Sequence, residues 1–146
     1  MRVLMVCLGN ICRSPMAESV LQHLAPTWAV DSAGTGDWHV GDPPDHRTIT
    51  ELKRHGLITS HRGRQVEVAD LRRFDLVLAM DRRNLRDLEE LRPSDATAKL
   101  ALLGDFARPI GEEVPDPYHD GPATFAAIYA QIERCCQGLI TAYPDR

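Results

Sequence analysis

Lysine is nearly missing from this 146-residue chain: Lys53 and Lys99 are the only two among 17 basic residues, and 21 acidic ones leave a net charge of −4. That balance excludes the general attraction to phosphate backbones on which nucleic-acid binders rely. Aromatics are few as well: three Phe, three Tyr and two Trp offer little surface for stacking bases. The arginines gather as Arg62/Arg64, Arg72/Arg73 and Arg82/Arg83/Arg86, which read as solvated polar faces. No apolar run approaches the ~20 residues of a membrane helix, and Met1-Arg2 passes into an apolar run with no signal-peptide pattern. A cytoplasmic protein without a membrane partner is expected. Four cysteines, at 7, 12, 135 and 136, have neither the spacing of a disulfide framework nor that of a zinc site. Reduced thiols, and no metal or other cofactor, are expected.

What the chain does contain fits one globular domain, 1–146: 43% of residues are hydrophobic and 26% charged, enough to build a single substantial core. The most informative stretch is Val3-Leu4-Met5-Val6-Cys7-Leu8-Gly9-Asn10-Ile11-Cys12-Arg13-Ser14-Pro15. Leu4 to Val6 suit a strand buried on both faces. Gly9 and Asn10 permit unusual backbone angles, and Ser14 followed by Pro15 reads as a helix cap and first helical position. A strand–loop–helix turn of this kind aims backbone N–H groups at one point, and the helix adds the positive end of its dipole. Such a site suits an anion. Cys7 at its entrance could serve as a thiolate nucleophile, and Arg13 can hold two oxygens of a tetrahedral oxyanion with its planar fork. A free cysteine at a strand end is more often a small core residue. Arg13, Gly9 and the helix start together reverse that reading.

Along the chain, Met16, Val20, Leu21 and Leu24 mark a first helix ended by Pro26, and Trp28 to Val30 a second strand turning off through Asp31-Ser32-Ala33-Gly34. After a Gly- and Pro-rich loop, a helix is expected from about Asp45 to His55, stopped by Gly56. Val66 to Leu71 carries at most a helical turn. Phe74 to Met80 is the next strand, Asp81 caps a helix holding Leu85, Leu88 and Leu91, and Lys99 to Leu103 is the fourth strand. A polar loop with Pro109, Gly111, Pro115 and Pro117 leads to a long helix. Its stripe is Phe125, Ile128, Tyr129, Ile132, Cys135/Cys136, Leu139, Ile140 and Tyr143. Alternating strands and helices predict an α/β fold, a parallel sheet with helices on both faces and a ligand site beyond the strands' carboxyl ends.

The segment Cys7-Leu8-Gly9-Asn10-Ile11-Cys12-Arg13-Ser14 resembles the C-x5-R-S loop of the low-molecular-weight protein tyrosine phosphatases. The resemblance extends in order to Asp31-Ser32-Ala33-Gly34-Thr35, Gly41-Asp42-Pro43-Pro44-Asp45, Ser60-His61-Arg62 and Asp116-Pro117-Tyr118. It implies a three-layer, four-stranded parallel sheet in the order 2-1-3-4. Hydrolysis of protein phosphotyrosine through a cysteinyl-phosphate is implied as well. Cys7 would be the nucleophile, Arg13 the phosphate clamp, and the backbone of Leu8, Gly9, Asn10, Ile11, Cys12 and Ser14 the oxyanion cradle.

A phenolate leaves poorly unless protonated, so a general acid is required. Asp116 lies between two backbone-restricting prolines, Pro115 and Pro117. Asp105 and Asp120 are rivals by sequence, and only the resemblance selects Asp116. It also implies that Trp38, Tyr118 and His119 line the slot for an aromatic ring, His119 standing where relatives carry a second tyrosine. Ser32 and His61, with Asn10 and Ser14, would support the loop by hydrogen bonds. His61 alone would read as an ordinary exposed histidine. Reversible oxidation of Cys7 with Cys12 is a further implication. The partner expected is a tyrosine-phosphorylated protein or peptide, bound by a monomer or weak dimer.

Three other functions compete. Arsenate reductases on this scaffold need further cysteines, and Met80 to Leu91 contains none. A phosphoarginine branch carries Thr where this chain has Ile11. A non-catalytic phosphate-binding module would have no use for Cys7, Arg13 and Asp116 together.

Overall fold

The computed structural model describes residues 1–144; positions 145 and 146 of the expected domain lie outside the described residues. The elements in chain order are β1 (Arg2–Cys7), α1 (Arg13–Leu24), β2 (Ala29–Gly34), α2 (His46–Arg54), α3 (Asp70–Arg73), β3 (Leu76–Ala79), α4 (Arg82–Leu91), β4 (Lys99–Leu102), a 3-10 turn (Leu103–Phe106) and α5 (Pro122–Ala142). The four strands form one sheet in the order β2-β1-β3-β4, every pairing parallel.

β1 is central, and its side chains alternate between two cores. Val3, Met5 and Cys7 face a cluster with Met16 and Leu21 of α1, Leu52 of α2, and Phe125, Ile132 and Leu139 of α5. Leu4 and Val6 face a second cluster with Leu71, Phe74, Val77 and Leu88. From Val3 to Cys7 this strand is apolar at every position, so its period-two geometry buries both faces, and three layers follow. Each fully buried Leu or Phe contributes about 1.5–3 kcal/mol of transfer free energy. That burial holds the carboxyl end of β1, where Cys7 sits 3% exposed, in one place.

Several local expectations are corrected. Ser14 is not the cap of α1: the helix begins at Arg13 with Cys12 at the cap position, and the Ser14 hydroxyl turns back to Asn10 and Cys7. The chain does not turn off β2 at Asp31. The strand runs on to Gly34, paired residue for residue with β1 as far as Cys7↔Gly34, because β1 supplies an unbroken ladder there. Gly34 is needed at that point: a Cβ would lie 2.9 Å from the carbonyl oxygen of Leu8. Trp28 precedes the strand and packs in the core. The fourth strand closes at Leu102, where Leu103 enters the 3-10 turn. The helical turn expected near Val66–Leu71 is present as α3, a few residues later.

Candidate active site

The turn after β1 is held by Asn10, whose backbone lies at φ 57°, in the left-handed region that residues with a Cβ avoid and asparagine tolerates best. Four side-chain hydrogen bonds fix it. Its Nδ2 donates to Ser14 Oγ (2.8 Å) and Ser32 Oγ (3.0 Å), and its Oδ1 accepts from His61 Nε2 (2.7 Å) and the Arg64 amide (3.0 Å). In this conformation the Asn10 N–H points at Cys7 Sγ, 3.2 Å away. Ser14 Oγ lies 3.0 Å from the same sulfur. Because that oxygen already accepts from Asn10, its own proton is free to point at the sulfur. Two donors thus converge on the Cys7 sulfur.

A second ring of contacts stands behind the loop. Ser32 Oγ donates to Glu18 Oε1 (2.6 Å), and His61 Nδ1 lies 3.1 Å from Glu18 and 3.8 Å from Asp31. Among the described residues, Glu18, Asp31 and His61 are the one trio that brings three metal-ligating atoms within 4.8 Å of one another. Each is otherwise engaged: Asp31 pairs with Arg64, Glu18 accepts from Ser32, and His61 donates to Asn10. Arg64 in turn grips the buried Asp70, so this arginine is not the solvated cation its sequence neighbourhood suggests.

Arg13, 3% exposed, is aimed by two acceptors. Its Nη1 donates to Asp81 Oδ2 (2.7 Å) and to the carbonyl of Val114 (2.9 Å), which leaves Nε and Nη2 for an oxyanion. Asp81 does two jobs with its two oxygens. Oδ1 caps α4 by accepting from the Asn84 amide (2.8 Å), as its position predicts, while Oδ2 orients Arg13, for which the local sequence carries no signal. Asp116 Oδ2 lies 4.0 Å from Arg13 Nη2 at the rim. The Tyr118 amide donates to Asp116 Oδ1 at 3.1 Å.

These groups enclose a cavity of about 230 Å³. Its floor is Cys7, Leu8, Gly9, Ile11, Cys12 and Arg13, and its walls are Trp38, His39, Asp116, Tyr118 and His119. Cys7, Arg13, Asp116 and the three expected slot residues therefore meet in one pocket, with Asn10, Ser14, Ser32 and His61 behind it. Trp38 and Tyr118 remain substantially exposed at the mouth, and the Trp38 ring lies over Gly36, where any Cβ would collide with it. Of the rival acids, Asp105 accepts from the Leu102 amide in the 3-10 turn, and Asp120 offers its backbone carbonyl to Arg47. Neither lines the pocket. His39, Asp81 and Glu18 also belong to the site, and no local sequence pattern marks them for it.

The other thiols are kept protonated. Burial, helped by the charges of Asp45, Cys7 and Asp116, pushes Cys12 up to about 12. Burial pushes Cys135 up to about 11 and Cys136 higher still. All four cysteines are free.

Residues 2–144 match the family model described as low molecular weight phosphotyrosine protein phosphatase. The curated protein of that description from Schizosaccharomyces pombe is 43% identical over 147 residues, covering 95% of this chain and 94% of the relative. The one from Homo sapiens is 42% identical, covering 94% and 92%. Among solved structures, that of the Drosophila arginine phosphatase superposes with a TM-score of 0.91 at 41% identity, over 98% of each chain.

Proposed function

The chain belongs to the low molecular weight phosphotyrosine protein phosphatase family, a protein-tyrosine-phosphatase and phosphoric monoester hydrolase, and on that premise we propose that it works through a cysteinyl-phosphate on Cys7. The Cys7 thiolate attacks phosphorus, an S–P bond forms, and the P–O bond to the tyrosyl oxygen breaks. Asp116 gives its proton to the departing phenolate oxygen. Nε and Nη2 of Arg13, with the backbone N–H groups of Leu8 to Ser14, hold the equatorial oxygens as charge gathers there. In the second step Asp116 takes a proton from water as its oxygen attacks phosphorus. The S–P bond breaks, phosphate leaves, and the Ser14 hydroxyl receives the returning sulfur anion at 3.0 Å.

The observation that carries this reading is the convergence of the Asn10 amide and the Ser14 hydroxyl on Cys7 Sγ, at the floor of a pocket whose rim holds Asp116 beside Arg13. An aryl ester is supported by Ile11, Trp38 and Tyr118, which give the cavity an apolar lining. A second reading, hydrolysis of phosphoarginine, is favoured by one observation, the likeness to the Drosophila arginine phosphatase. We further propose that residues 1–146 act as one domain, as a monomer or weak dimer in the cytoplasm, on a phosphorylated protein rather than on nucleic acid or membrane. Among the described residues no helix is long and apolar enough to cross a membrane.

Rates on phosphotyrosyl, phosphoseryl and phosphoarginyl peptides test both readings. Turnover of the phosphotyrosyl peptide that falls to background with Cys7→Ser is the expected result. Preference for phosphoarginine would move the assignment to the second reading, and phosphotyrosine turnover surviving Cys7→Ser would end the first.

A further inference from the structure

The loop that carries Asp116 is tied at both ends. At its start, the Val114 amide donates to the Met80 carbonyl (2.8 Å) and the Val114 carbonyl accepts from Arg13 (2.9 Å). At its far end the tie is Arg47, the second residue of α2. Its Nη1 donates to the carbonyl of Asp120 (2.6 Å) and its Nη2 to that of Tyr118 (2.9 Å), astride His119. Asp45 holds this guanidinium with both oxygens: Oδ1 accepts from Nε (3.0 Å) and Oδ2 from Nη2 (2.9 Å). The Asp45 amide in turn donates to the carbonyl of Ile11, inside the phosphate-binding turn, at 2.8 Å. The guanidinium also faces the Phe125 ring at 4.6 Å and the Tyr118 ring at 5.8 Å.

We propose that Arg47, oriented by Asp45, is a positioning residue for the general acid, setting where the Asp116 loop stands relative to the sulfur through the path Ile11–Asp45–Arg47–Tyr118/Asp120. The inference rests on the reading of Asp116 as the proton donor. Both ties lead back to the Cys7–Arg13 turn, so the acid and the nucleophile are referenced to one another rather than separately to the core. The task suits arginine. Three nitrogens of one planar fork serve a carboxylate and two carbonyls at once, whereas a lysine offers a single point charge that cannot span them. The Arg47 side chain is 21% exposed and that of its partner Asp45 10%, so the guanidinium sits largely out of solvent. Its value lies in geometry, since a displacement of about 1 Å at a reacting group can cost roughly 100-fold in rate.

The test is kcat/KM for aryl phosphates of graded leaving-group basicity, measured for the wild type, Arg47→Lys, Asp45→Asn and Asp116→Ala. A proton donor matters most for a basic leaving group, so loss of Asp116 steepens the dependence on leaving-group basicity. Arg47→Lys is expected to lose about tenfold on phenyl phosphate and less than about threefold on p-nitrophenyl phosphate. Asp45→Asn, which keeps a capping side chain, is expected to shift in the same direction by less and serves if the lysine variant does not fold. Equal losses on every ester, or a fall that merely follows the melting temperature, would overturn the proposal. If Asp116→Ala steepens the series and Arg47→Lys leaves it flat, this inference fails while the reading of Asp116 stands. If Asp116→Ala itself leaves the series flat, that reading fails first and this one with it.

Discussion

The chemistry proposed for Cys7 rests on one backbone conformation: with Asn10 in the left-handed region, its amide faces the sulfur. The remaining cysteines, pushed up by burial to about 12 at Cys12, to about 11 at Cys135 and higher at Cys136, hold almost no thiolate at neutral pH. Iodoacetate at pH 7 is therefore expected to modify Cys7 alone, read by peptide-mapping mass spectrometry, and inorganic phosphate should protect it. Carboxymethylation of Cys12 ahead of Cys7 would contradict the assignment. Much of this scale is legible in sequence, since Cys7, Arg13 and the intervening turn lie within a few residues of one another. What is not legible comes from far along the chain. His61 reads as an exposed histidine, yet its side chain is 6% exposed because Asn10, Glu18 and Asp31 close over it. Asp81 announces only its cap, since its second oxygen is claimed by an arginine 68 positions earlier.

Elements, rather than single residues, decide what the glycine in α5 does. Helix propensity favours alanine over glycine by about 1 kcal/mol. At Gly138, however, an added Cβ would lie 1.7 Å from the carbonyl oxygen of Phe106, so α5 would have to part from the 3-10 turn. Gly138→Ala is expected to lower the melting temperature, and a rise would show that this packing is loose. The strand and helix pattern itself follows closely from apolar periodicity, with two instructive departures. Ser14 looks like a cap and is not, because Asn10 and Cys7 compete successfully for its hydroxyl. β2 continues past Asp31 through a polar serine because Ser32 Oγ has Glu18 and Asn10 as partners inside the fold, which offsets the cost of burying it. Neither competitor is visible in a local window.

Over the whole molecule, one sheet with two apolar faces carries the pocket at the carboxyl end of its central strand, and charged side chains tie the surrounding loops together. The Asp45–Arg47 pair is one of these ties. Hydrogen bonding from Arg47 holds the Asp45 carboxyl below its ordinary value despite partial burial. A carboxyl depressed in the folded state adds stability above its unfolded value and gives it up as pH falls through the folded one. Between about pH 5 and about pH 3 the wild type should therefore lose more of its melting temperature than Asp45→Asn does. Parallel pH profiles would show the pair to be energetically idle. The parallel architecture could be read from alternating patterns alone, whereas the strand order came only through the resemblance. The tie from α2 to the Asp116 loop joins residues more than 70 positions apart and leaves no local mark.

A trapped intermediate would speak to the chemistry more directly than any rate. Asp116→Ala mixed with p-nitrophenyl phosphate and quenched in acid should carry one phosphoryl group, located by mass spectrometry on Cys7 and missing from the Cys7→Ser/Asp116→Ala double variant. A phosphoryl group on any other side chain, or steady turnover by an enzyme that is never phosphorylated, would contradict it.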